Sequence, residues 1–109
     1  MIEDATAGML LGRTVMRLRD LLGADRLGPD ARAAIGEALV SLRTLRNRPL
    51  ERASTLADSA RRVLGDDPAP DRLRAAALLT TAARLVRTHA EFFDRNSRLD
   101  SISDTAVQG

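Results

Sequence analysis

A chain of 109 residues with no cysteine and a single histidine has the length of one domain, and it excludes a disulfide framework, thiol catalysis and thiolate metal sites. Its 17 basic residues nearly balance 15 acidic ones, for a formal net charge of +2. The sequence pI of about 10.8 therefore reflects the lack of groups titrating between His89 and the arginines, not the charge excess of a strong nucleic-acid binder.

Apolar residues make up 44% of the chain but aromatic residues only 2%. Such a leucine–alanine inventory suits closely packed helices and would underfill a sandwich or barrel. Every basic residue is arginine, which codon usage in a GC-rich genome accounts for. Three stops punctuate the chain: Gly23 with Gly28-Pro29, then Asn47-Arg48-Pro49, then Gly65 followed by DDPAP. Each pairs a helix stop with a proline that can open the next helix.

The first predicted helix covers about residues 5–22, with Ala7, Leu11, Val15, Leu18 and Leu22 in one stripe, widened by Leu10, Thr14 and Leu21, and with Arg13, Arg17 and Asp20 opposite. The second covers about 30–46, with Ala31, Ile35, Ala38, Leu39, Leu42 and Leu45 on one face and Leu27 placed to staple its start. The third covers about 50–64. Ala53, Leu56, Ala57, Ala60, Val63 and Leu64 form its stripe, and Asp58 with Arg62 makes an i,i+4 pair of favourable polarity. The fourth is the longest, about 70–95, and its apolar arc runs from Ala75 through Leu78, Leu79, Ala82, Leu85, Val86 and Ala90 to Phe93. No segment alternates as a strand would.

Each helix has one face to bury. The expected fold is all-α: a compact antiparallel four-helix bundle with short loops over residues 1–95, followed by a polar, flexible C-terminal tail over 96–109. No run is long and apolar enough to span a membrane, and the N-terminus MIEDATAG is acidic where a signal peptide would be basic. The expected location is the cytoplasm.

Four stretches invite a functional reading. RTHAEFFD, residues 87–94, holds the only histidine and both phenylalanines. A phosphotransfer histidine needs an open helical face with a cation beside it. His89 instead has Leu85, Val86, Phe92 and Phe93 at helical-neighbour spacings, so it reads as a packed imidazole, with phospho-acceptance the remote alternative. DDPAPD, residues 66–71, offers three carboxylates. Its two prolines prevent the convergence that a helical magnesium motif needs, so Asp67 and Asp71 read as charges at a helix N-terminus.

RTLRNRPLER, residues 43–52, places Arg43, Arg46, Arg48 and Arg52 around a turn, where they could grip phosphates or an acidic partner or satisfy the end of the second helix. No aromatic lies among them to stack on bases. GMLLG, residues 8–12, is a G-x-x-x-G. With Gly12, Met9 and Met16 make a second, off-stripe strip on the first helix, as Ala33 and Val40 do on the second. Methionine-rich secondary strips suit a partner or a second copy.

No nucleophile–base set, nucleotide loop or metal-ligand spacing is present in the sequence. The Trp-x-Gly turn of small secreted helical hairpins and the catalytic lysine of all-helical chorismate mutases also have no counterpart. The sequence thus points to a non-catalytic protein–protein interaction module (an adaptor, assembly or small regulatory subunit) that needs no cofactor or metal and can self-associate. The alternatives are a nucleic-acid-associated regulator using the arginine-rich turn, and phosphotransfer at His89.

Overall fold

The structure, a computed structural model, describes residues 3–23, 27–65 and 69–95. The expected tail, and Asp66 and Asp67 of the acidic stretch, lie outside the described residues. Those described form four long helices and one short one, with no strand among them. They are α1 (Asp4–Leu21), α2 (Gly28–Arg43), α3 (Pro49–Leu64), α4 (Pro70–Thr88) and α5 (Ala90–Arg95).

Prolines open α2, α3 and α4, and each of these helices carries an acidic residue in its first turn: Asp30, Glu51 and Asp71. Proline's fixed φ suits the first helical position, and the carboxylates favour the positive end of the dipole. At the end of α3, Gly65 has φ 53° and ψ −148°, a region essentially reserved for glycine, where a residue with a Cβ pays about 1–3 kcal/mol. Arg48, at φ 58° just before Pro49, is the one non-glycine residue among those described to adopt positive φ.

Two boundaries differ from the sequence expectation. α2 ends at Arg43, three residues before the expected 46. The Thr44 hydroxyl donates to the carbonyls of Val40 and Ser41 at 3.3 and 3.2 Å, and its backbone N–H bonds Ser41 O in a tightened last turn. Leu45, though outside the helix, is fully buried.

The expected fourth helix is in fact two. α4 stops at Thr88, and His89 takes φ −115° and ψ 36°. Its N–H still bonds Leu85 O, while its carbonyl accepts from Phe93 N, the first bond of α5. Neither proline nor glycine marks this break.

Three side-chain contacts set the rotation of the helices. Arg72, in the first turn of α4, donates from Nη1 to Val63 O at 3.2 Å and thereby satisfies a carbonyl at the end of α3. This turns the Arg72–Ala76–Ala83 flank of α4 toward α3. Arg62 pairs with Glu37 and ties α3 to α2, and helical periodicity puts Ala53, Ala57 and Ala60 on the side of α3 away from Arg62. Asp4, at the start of α1, pairs with His89 at the end of α4. At the other end Arg17, Asp20 and Leu21 share a cleft with Asp71 and Arg74.

The start of α1 therefore lies against the end of α4, and the end of α1 against its start. α3 packs most extensively on α4, α2 packs on α3 and α1 on α4. Alanine on both sides lets the α3 and α4 axes approach closely, since interaxial distance follows side-chain size at the contact. The core between the helices is leucine-rich: Leu11, Leu18, Leu27, Leu42, Leu56 and Leu79 are completely buried, as are Ile35, Val63, Val86 and Phe93.

Candidate interaction surface

The α1 strip divides on folding. Met9 and Met16 are 64% and 66% exposed, whereas Gly12 and Gly8 are buried. The two methionines stand seven residues apart, so they share one helical face two turns apart. On α2, Val40 is 61% exposed and Ala33 is also exposed. The half-buried Gly36 between them has open space where a Cβ would project. α1 and α2 thus each carry an apolar strip that the core does not use.

The arginine-rich turn is partly engaged with itself. Arg48 Nη1 lies 3.5 Å from Glu51 Oε2, and Arg52 Nε donates to Asn47 O at 3.2 Å. Arg43 closes α2 and is exposed, as is Arg46 in the turn. The close pairing expected between Asp58 and Arg62 is reduced to an attraction between their charges, which still helps to raise the pKa of Arg62. Asp58 pairs with Arg61 one turn away, while Arg62 reaches across to Glu37. Hydrogen bonding to Arg62, then its charge, holds the Glu37 carboxyl below its ordinary pKa, and the same contacts raise that of Arg62.

His89 sits at the α4–α5 break with its side chain 10% exposed, and Nδ1 is 2.7 Å from Asp4 Oδ1. Because a carboxylate can only accept, the ring N–H donates. Phe92 and Phe93 meet edge to face, ring centroids 5.2 Å apart, a favoured aromatic geometry. Phe93 is fully buried and Phe92 partly so.

Sequence reasoning missed the surface that this break creates. Turning at His89 lays α5 beside the start of α3. Between them lies a cleft of about 350 Å³ lined by Arg48, Pro49, Leu50, Glu51, Ala90, Glu91 and Asp94. A second cleft of about 400 Å³ adjoins it on the side of Asp4 and His89 and shares Leu50, Ala90 and Glu91. Leu50 is 57% exposed. A leucine one residue after a helix-opening proline and off the third helix's apolar stripe was the available signal.

Among the described residues no three histidines or carboxylates are grouped to hold a metal ion, and no helix is long and apolar enough to cross a membrane. No protein-family model, curated protein or solved structure was found to match this chain.

Proposed function

We propose that the chain is a non-catalytic protein–protein interaction module, an adaptor or small regulatory subunit, whose helices close into an antiparallel four-helix bundle. The observation that carries this reading is the pair of exposed methionines on α1. Met9 and Met16 remain 64% and 66% exposed in a chain whose described core already buries eleven large apolar side chains almost completely. Methionine adapts to irregular partners, and full burial of such a side chain is worth roughly 1.5–3 kcal/mol. A partner covering both would recover a useful binding free energy.

The end-to-end opposition of α1 and α4 supports antiparallel closure. The nucleic-acid alternative has less behind it, because Arg48 and Arg52 are both engaged within the turn. Phosphotransfer at His89 requires an open imidazole, and this one is nine-tenths covered and bonded to Asp4.

The test is affinity purification from the native host followed by measurement of complex mass. The wild-type chain is expected to carry a stoichiometric protein partner that the Met9→Glu/Met16→Glu double variant loses while keeping its thermal unfolding profile. A wild-type chain that carries no partner, or a partner retained by the variant, overturns the reading.

A further inference from the structure

The end of α1 and the start of α4 border a cleft of about 540 Å³, lined by Arg17, Asp20 and Leu21 from the one helix and by Asp71 and Arg74 from the other. That volume is in the range of small-molecule sites. Two guanidiniums and two carboxylates thus share one cleft, yet among the described residues neither arginine pairs with either aspartate. Chain direction accounts for this. The two helices run antiparallel, with Asp4 of α1 against His89 of α4, so the lining residue nearer the middle of α1 is level with the one nearer the middle of α4. Arg17 is level with Arg74, and Asp20 with Asp71. Like charge stands across from like charge, and the two levels are three residues, or about 4.5 Å of helix, apart.

We propose that this cleft binds a small zwitterion, an ω-amino acid whose carboxylate lies between Arg17 and Arg74 and whose ammonium lies between Asp20 and Asp71. A carboxylate offers one oxygen to each guanidinium, and such charge-assisted hydrogen bonds are the strong ones. An ammonium has three N–H donors, of which two meet the aspartates. The methylenes between them lie along Leu21. One ligand thereby turns both like-charged levels into attractive ones, whereas a ligand with a single charge relieves only one. Because Arg17, Asp20 and Arg74 are exposed, screening weakens the binding as salt rises. The inference goes beyond the interaction reading: it gives the bundle an effector site that uses neither Met9 nor Met16, so that each can fail without the other.

An NMR titration of the isotope-labelled full chain in low salt tests it, with glycine, β-alanine, γ-aminobutyrate and 6-aminohexanoate as ligands and butyrate and butylamine as single-charge controls. Affinity is expected to peak at γ-aminobutyrate, whose charged groups stand about one level apart, and to exceed that of either control about tenfold or more. Arg17→Ala/Arg74→Ala and Asp20→Asn/Asp71→Asn are each expected to weaken it by about tenfold or more. None of the four side chains belongs to the buried core, so both variants are expected to fold, which circular dichroism checks. The sharper variant exchanges the charges of α1 alone, Arg17→Asp/Asp20→Arg. It keeps every charge in the cleft but sets unlike ones level, so that they pair with each other. It is expected to unfold at no lower a temperature than the wild type and to bind none of the series. Met9→Glu/Met16→Glu is expected to bind γ-aminobutyrate as the wild type does.

A wild type that binds no member of the series overturns the inference while leaving the partner reading to its own test. So does an affinity indifferent to the length of the amino acid, or one that survives the charge exchange.

Discussion

α3 and α4, the most extensively packed pair of helices, both cover alanines: Ala53, Ala57 and Ala60 on one helix, Ala76 and Ala83 on the other. At the His89 end the chain does the reverse. There the helix breaks, and two phenylalanines and an imidazole bonded to Asp4 fill the space that no second alanine face could. The seam between α3 and α4 gains from closeness, with many small contacts and little side-chain entropy to lose. The end gains from bulk, concentrated in Phe93. A change of size should therefore act in opposite directions in the two places.

The largest effect belongs to the end. Phe93 is fully buried and is the largest such side chain in the described core. Phe93→Ala is expected to cost about 3–5 kcal/mol, combining lost transfer free energy with an unfilled cavity. Urea unfolding should show this as a lower midpoint, against a total stability for a domain this size of only about 5–15 kcal/mol. A cost under about 1 kcal/mol would mean that α5 is not part of the cooperative core.

In the seam the damaging change is enlargement. Ala83 is 4% exposed and lies on the flank of α4 turned toward α3. Ala83→Leu is expected to cost about 1–3 kcal/mol by forcing the two closest helices apart. The same substitution at Ala77, on the exposed side of α4, should stay within about 0.5 kcal/mol. Equal effects at the two sites would remove the contrast between a close seam and a filled end.

How far each region could be read from sequence follows the same division. Three of the helix starts were legible because a proline dictates φ at the residue itself, and the leucine stripes were legible because burial repeats every turn. The break at His89 was not. It has no proline or glycine, and its side-chain tie lies 85 positions away at Asp4, so no local pattern marks it. The early end of α2 at Arg43 likewise has no proline or glycine at the stop itself. The partner of Arg62 was misread because local spacing favoured Asp58, while the tertiary fold supplies Glu37. The end face around Leu50 exists only because α5 turns back, so its residues, scattered over α3 and α5, could not be grouped beforehand. The alternation of burial that made the rest readable carries no information about where one helix stops and rotates.

A smaller effect tests whether the break depends on that distant contact. The bond between His89 and Asp4 joins a covered side chain to one that is 57% exposed. A double-mutant cycle of Asp4→Ala and His89→Ala is expected to show a coupling of about 0.5–1.5 kcal/mol. A coupling near zero would leave the break to the packing of Phe92 and Phe93 alone.

The smallest effect lies away from both regions and serves as their control. Glu37 is lowered in pKa by Arg62, through the hydrogen bond first and the charge second. A carboxylate lowered on folding binds fewer protons in the native state than in the unfolded chain. Its stabilisation is therefore present above the unfolded-state pKa of about 4.3 and is lost as pH falls through the lower native value. Glu37→Gln is expected to remove that contribution at neutral pH and to flatten the acid limb of stability against pH below about 4.3. Both side chains are half exposed, so screening keeps the effect slight and high salt should reduce it further. An acid limb of unchanged slope in Glu37→Gln would show that the pair does not hold α2 to α3 in solution, leaving that contact to Ile35, Leu42, Leu56 and Val63.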